Sequence, residues 1–288
     1  MKRLIGFFVL TTSLLTASLL LSPNASAITY GFVDSTNTFR NTGAFIVKST
    51  STGQIFPICS GTMITPNVFL TASHCTIFYS RELAPDGFVA YVSLDQSIPF
   101  GDLTSNTTTL LPVAHVVTNP NYNQSQSDPG DIGVLILNQN VNGVTPAVLP
   151  SCGLLDQLAA KNGLKTAVFT NAGYGLQNRV VGGGVPFFQD LNPVPRMFSY
   201  SSFNSLNPGY LRISQNPSTG NGGTCFGDSG GPNFLTVNGQ QLIVSITITG
   251  DSVCRATNVD YRLDTLSAQG FLAYVNAAFG TSIPISCL

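Results

Sequence analysis

Charge is what this chain has least of. Asp, Glu, Lys and Arg make up 9% of its 288 residues, against about 25% in an average soluble domain. Disorder driven by charge is excluded, because 43% of the residues are apolar and such a chain can bury a core. Twelve basic and 13 acidic residues leave a formal net charge of −1. That balance provides no footprint for nucleic acid or an acidic membrane surface. There is one Glu, Glu82, and there are two His, His74 and His115, so any chemistry that needs an imidazole falls on one of two residues. The six cysteines form no C-x2-C pair, and the histidines no zinc-type pair, which argues against zinc. The acids between Glu82 and Asp102 are too sparse for a calcium loop. No nucleotide or haem motif is present, so no metal and no cofactor are expected.

The N-terminus reads as a targeting segment. Met1-Lys2-Arg3 is basic, Leu4 to Leu21 is mostly apolar, and Ala25-Ser26-Ala27 forms a small-residue cleavage box. An anchor helix is the competing reading, but Thr11, Thr12, Ser13, Thr16 and Ser18 interrupt the apolar run. A signal peptide over 1–27 is expected, with Ile28 as the first mature residue. No later segment is long and apolar enough to span a bilayer. The expected product is secreted, extracellular or periplasmic, with no membrane association after cleavage. Six cysteines suit an oxidising compartment and three disulfides, although spacing alone leaves their pairing open. Asn106-Thr107-Thr108 and Asn123-Gln124-Ser125 are glycosylation sequons, relevant in a eukaryotic producer.

The rest of the chain reads as short strands. Ala44–Lys48, Ser60–Ile64, Phe69–Ser73, Val89–Leu94, Val113–Val117 and Gly133–Leu137 are apolar or alternating runs between Gly/Pro/Asn/Ser turns. Lys165–Tyr174, Met197–Ser201, Tyr210–Ser214, Gln241–Thr249 and Val259–Leu263 continue the pattern. Only Thr265–Phe279 has helical spacing, through Leu272, Val275 and Phe279. Two groups of strands point to two packed β-barrels or a large sandwich, with a seam in Asn138–Pro150. Gly182-Gly183-Gly184 reads as a surface loop rather than a linker.

Three blocks carry chemistry. In Gly227-Asp228-Ser229-Gly230-Gly231-Pro232, a serine flanked by glycines is open to a substrate backbone, and main-chain N–H groups can converge on an oxyanion. A plain Gly/Ser turn is the bland alternative. In Thr71-Ala72-Ser73-His74-Cys75, a histidine closes a strand beside a cysteine. In Asp131-Ile132-Gly133-Val134-Leu135, an acid opens an apolar strand, where a buried carboxylate needs a partner such as an imidazole N–H. Chain order discriminates between hydrolase types. An α/β-hydrolase places its histidine last, and no histidine follows Ser229. A subtilisin-like order would recruit Asp34, but the surroundings of His74 do not fit. Asp228-Ser229-Gly230 resembles an aspartic-protease signature without a convincing second copy. The order His74, Asp131, Ser229 is that of the chymotrypsin template.

These three blocks resemble the signature blocks of chymotrypsin-like (trypsin-fold) serine proteases, over about Ile28 to Phe279. The family's usual Ala-Ala-His-Cys is Ala-Ser-His-Cys here, and its Asp-Ile-Ala-Leu-Leu is Asp-Ile-Gly-Val-Leu. The resemblance implies an all-β fold of two six-stranded antiparallel β-barrels, with the active site between them and a C-terminal helix. The first barrel, 28–145, would carry His74 and Asp131; the second, 146–288, would carry Ser229 and the specificity pocket. Ser229 would be the nucleophile, His74 the base, Asp131 its orienting acid, and the N–H groups of Gly227 and Ser229 the oxyanion hole. Asp128 is the rival acid, and His115 reads as a structural strand histidine. The resemblance also implies disulfides Cys59–Cys75, Cys225–Cys254 and, less directly, Cys152–Cys287.

Activation in such enzymes exposes an N-terminal Ile whose ammonium pairs with the acid before the nucleophile. Here these residues would be Ile28 and Asp228, with signal cleavage itself releasing Ile28 in Ile28-Thr29-Tyr30-Gly31. Gly223, at the usual pocket floor, removes the acid that would receive Lys or Arg; Thr224 follows it. Ser245 and Thr247 resemble the strand that pairs with substrate, although the run to Cys254 is longer than typical. Val259 would narrow the pocket wall. Small or medium apolar side chains before the scissile bond are therefore expected, with Asp251 or Asp260 as a displaced acid in the alternative. The expected function is a secreted serine endopeptidase, a monomer acting on protein or peptide substrates. A catalytically silent binding relative and a secreted esterase are the other readings.

Overall fold

The computed structural model describes residues 28–99, 101, 108–180, 187–189 and 192–287. The expected signal segment 1–27, the sequon at Asn106 and the Gly182-Gly183-Gly184 loop lie outside the described residues.

The apolar runs form strands, and the strands close into two barrels. After a short β1 (Phe32–Val33), the first barrel is built from β2 (Thr42–Ser49), β3 (Ile55–Met63), β4 (Val68–Thr71), β5 (Phe88–Ser93), β7 (Leu111–Thr118) and β8 (Gly133–Leu137), while β6 (Ser97–Ile98) lies outside it. Its antiparallel order is β2-β3-β4-β8-β7-β5. The second barrel uses β9 (Val168–Gly173), β13 (Met197–Leu206), β14 (Tyr210–Ser214), β15 (Pro232–Val237), β16 (Gln240–Gly250) and β17 (Thr257–Arg262). Its order is β13-β14-β17-β16-β15-β9, closed by a further β13–β9 pairing. Between β9 and β13 lie β10 (Gln177–Val180), β11 (Phe187–Gln189) and β12 (Val194–Pro195), the last paired with β6. The two six-stranded antiparallel barrels are those implied by the resemblance.

Three helices complete the described chain: α1 (Ser73–Phe78), α2 (Leu154–Ala160) and α3 (Leu266–Phe279). Thr265 caps α3, its hydroxyl accepting the Ala268 N–H, and Gly280 ends it in the left-handed conformation. Ala268, Phe271, Leu272 and Val275 bury one face of α3 in a cluster shared with the first barrel. Disulfides join Cys59 to Cys75, Cys152 to Cys287 and Cys225 to Cys254.

Two placements differ from the sequence reading. β1 falls in the stretch assigned to the first barrel, yet pairs with β13 of the second, Phe32 opposite Phe198. Thr29 likewise bridges to Gly223. The Phe32 and Phe198 rings pack at a 35° tilt with centroids 5.5 Å apart, so aromatic packing draws this segment across. The second difference is His74, which lies in α1 rather than at a strand end. Ala72 is the extended residue before that helix, φ −91° and ψ 149°, so the chain turns one residue after β4.

Candidate active site

The first barrel contributes an imidazole and a carboxylate held in register. Asp131 is buried, and its Oδ2 lies 2.9 Å from His74 Nδ1 while its Oδ1 accepts the His74 backbone N–H at 2.9 Å. This two-point contact fixes the ring and its neighbouring peptide together. Ser73 reinforces it: its hydroxyl donates to the Ile132 carbonyl at 2.7 Å and accepts the Asn119 N–H at 3.0 Å. The Cys59–Cys75 disulfide anchors the residue after His74 to β3. The His74 side chain is 25% exposed and Asp131 5%, so one end of the pair faces solvent and the other does not.

Asp128 does not join them. Its Oδ1 accepts the Tyr261 hydroxyl at 2.9 Å and the Gly130 N–H at 3.1 Å. His115 is exposed on β7, its ring 5.1 Å from that of Phe279. Asp34 is buried against Arg196, 2.8 Å from its Nε. Arg196 also donates to the carbonyls of Thr42 and Leu94 and to Asn37, pinning the N-terminal segment and the first barrel to the start of β13.

The second barrel contributes the serine loop. Gly227 and Gly230 have φ of +96° and +78°, values that glycine alone adopts freely. Ser229 follows Asp228, whose carboxylate is fully buried and accepts N–H groups from Gly175 at 2.8 Å and Cys225 at 2.9 Å. Burial pushes the Asp228 carboxyl up to about 7, and the two N–H donors offset only part of that. The Ser229 carbonyl accepts the Ser60 N–H at 2.9 Å and lies 3.9 Å from Cys75 Sγ, which sets the loop beside α1. The described hydrogen bonds include none between Ser229 Oγ and the His74 ring; catalytic contacts in unliganded sites often tighten only with substrate. Among the described residues, no acceptor takes the N–H of Gly227 or of Ser229, so both donors remain available to an oxyanion.

A cavity of about 230 Å³ opens beside Ser229. Thr224, Thr247, Ile248, Thr249, Gly250 and Asp251 line it, together with Phe226 and the Cys225–Cys254 bridge. Of the residues expected at a specificity pocket, Thr224 and Thr247 line this cavity. Gly223, Ser245 and Val259 are not among the lining residues. Ser245 is fully buried in mid-strand, paired with Asn233 and Arg262. The wall is instead Ile248-Thr249-Gly250, after a register shift in β16 between Thr247 and Thr249. The long run from Ser245 to Cys254 places the wall three residues further along β16 than Ser245. Asn258 faces Gly250, and Asp260 faces Thr247; Val259, one residue out of phase, belongs to the other face.

Sequence reasoning also missed Gln215. Its buried amide packs on the Cα of Gly223, so a side chain at Gly223 would run into it. Gln215 Nε2 reaches Asp251 Oδ1 at 3.4 Å. Burial opposes charge on Asp251, but the N–H groups of Thr257, Ala256 and Arg255 and the Gln215 amide outweigh it and hold the carboxyl below its usual range. Asp260 is the reverse case. Burial raises its carboxyl well above the usual range, more than Asn233 and Thr247 lower it.

The family model described as Trypsin matches residues 32–267. The chain belongs to the trypsin family, chymotrypsin-like serine proteases that act on protein substrates. No curated protein matches the chain.

Proposed function

We propose that this chain is a secreted serine endopeptidase that cleaves through an acyl-enzyme on Ser229. The observation that carries the reading is the paired contact of Asp131 with both the Nδ1 and the main-chain N–H of His74, on a fold whose other barrel presents Ser229. Ser229 Oγ attacks the scissile carbonyl and His74 Nε2 takes its proton. Asp131 holds the tautomer with Nδ1 protonated and stabilises the imidazolium. The oxyanion is received by the N–H groups of Gly227 and Ser229; loss of one such donor costs about 2.7–4 kcal/mol of transition-state stabilisation. His74 then protonates the leaving amine, and water, deprotonated by His74, releases the acyl group. Labelling of Ser229 by an active-site serine reagent, followed by turnover of a peptide panel, tests this. Labelling without any turnover would leave a silent binding relative, and ester turnover alone would leave an esterase.

Activation by signal removal is part of the proposal. Ile28 is fully buried beside Met197, and Thr29 bridges to Gly223 with its carbonyl accepting the Gly223 N–H at 2.9 Å. While Ile28 is joined to Ala27 its nitrogen is a peptide N–H. A free ammonium there would supply the cation that the buried Asp228 carboxylate otherwise lacks among its described partners. N-terminal sequencing of the active secreted enzyme should read Ile28-Thr29-Tyr30; a later start would overturn this step.

A further inference from the structure

The serine loop is rich in glycine, and glycine gives the backbone freedom that an oxyanion hole cannot tolerate. Three successive peptides matter. In the Phe226–Gly227 peptide, the carbonyl accepts the Leu176 N–H at 2.6 Å and the Gly227 N–H is free for the oxyanion. In the Asp228–Ser229 peptide, the carbonyl accepts the Gly231 N–H at 2.8 Å and the Ser229 N–H is free. Between them lies the Gly227–Asp228 peptide, which must be held for the outer two to converge. Its N–H donates to the Cys225 carbonyl at 3.0 Å, inside the loop. Its carbonyl is held from outside, by the hydroxyl of Ser60 on β3 at 2.9 Å.

We infer that Ser60 is a positioning residue for the oxyanion hole, acting through the Gly227 carbonyl. The inference rests on Ser229 being the nucleophile. Ser60 is fully buried, and every polar group it carries is committed. Its N–H donates to Ser229 O at 2.9 Å, and its carbonyl accepts the Thr71 hydroxyl at 2.8 Å. Its Oγ accepts the Tyr174 N–H at 3.0 Å. That last bond orients a rotor that would otherwise be free: with the Tyr174 N–H on a lone pair, the hydroxyl proton is left to point at Gly227. One oxygen therefore joins β3 of the first barrel, the chain just after β9 of the second, and the middle peptide of the loop. Glycine makes the room for it: a side chain at Gly173 would run into the Asp228 carboxylate and the Ser60 hydroxyl.

The test uses Ser60→Ala and Ser60→Thr in the secreted full-length product, with rates normalised to sites titrated by a serine reagent. Ser60→Ala keeps the backbone N–H bond to Ser229 and deletes only the hydroxyl. The expected result is a fall in kcat of roughly tenfold or more with KM nearly unchanged, set against the 10²–10³ typical of deleting a donor outright. Affinity for a peptide aldehyde, whose hemiacetal oxygen needs the hole, should fall in parallel, while affinity for a non-covalent product peptide should not. Ser60→Thr should restore most of the rate. An unchanged kcat, an equal loss of product-peptide binding, or failure of Ser60→Ala to fold would overturn the positioning role. Wild-type enzyme that resists the serine reagent would instead overturn the nucleophile assignment beneath it.

Discussion

The two barrels close in the same way and are filled differently. Phe45, Val47, Met63, Phe69, Val92 and Val134 pack the first in an apolar cluster. The second is apolar at one end, where Phe169, Leu211, Leu235, Leu242 and Val244 meet. Its remaining buried positions include Asn171, Ser199, Ser201, Gln215, Asn233, Thr247, Asn258 and Asp260, none more than 4% exposed. Asn171 donates to Ser199 and Ser201, while Asn258 donates to Asn233, Thr247 and Asp260. Oxygen atoms of Asn171, Gln215, Asn258 and Asp260 accept no described hydrogen bond. An unmet buried acceptor costs about 1–3 kcal/mol. The first barrel also buries unpartnered hydroxyls, on Thr42 and Thr62, so what sets the second apart is its buried amides and carboxyl, which adjoin the cavity through Thr247.

Catalysis should erase the difference, because the proposed machinery takes members from both barrels. His74→Ala and Ser229→Ala are each expected to cut kcat by roughly 10⁶, and the double variant no further. Additive losses in steady-state assays would mean the two residues do not work as a unit. Core stability should bring the difference back. Phe69→Ala removes a fully buried ring of the first barrel and should cost about 3–5 kcal/mol in denaturant unfolding. Asn258→Ala in the polar half should cost clearly less, and equal losses would refute the contrast. Arg196→Ala tests the pin between the barrels. It strands the buried Asp34 carboxylate, and breaking such a pair from one side costs about 3–5 kcal/mol.

The smallest effect is a pH dependence. Asp260 is raised in the folded state above its unfolded value, which for a free Asp is about 3.9. Its favourable contribution is complete below that unfolded value and is lost as pH rises through the folded one. Asn imitates the protonated form, so Asp260→Asn should match the wild type near pH 4 and melt higher at pH 8. The difference between the two proteins is the readout, because Asp228 titrates in the same direction in both while Ile28 is uncleaved. Identical melting profiles across that range would show Asp260 to be uncoupled from stability.

Much of this organisation was legible in the residues. Gly133–Leu137 and Tyr210–Ser214 are strands with the bounds their apolar patterns indicate: the first is a continuous apolar run buried at every position, and the second alternates in burial with period 2. β15 was hidden because Pro232 follows the glycine loop and reads as its continuation; proline is tolerated there as the first residue of a strand. Asn233 and Asn258 look like turn residues in one dimension and are buried in three, and Asn171 is buried inside its strand run. The pocket wall was misplaced because β16 holds alternating Ser, Thr and Ile on both sides of its register shift. Ser60 sits in an ordinary strand pattern, and only the approach of the loop from the other barrel distinguishes it. Local patterns report which face a residue takes; they do not report which distant loop that face meets.

The burial of Ile28 has a consequence for timing. Its side chain has no exposed surface, and the residue after it, Thr29, is held by the carbonyls of Gly223 and of Cys254, the disulfide partner of Cys225. Those partners lie 194 and 225 residues further along the chain. On the proposed start at Ile28, the first residues of the product are therefore among the last to find their places.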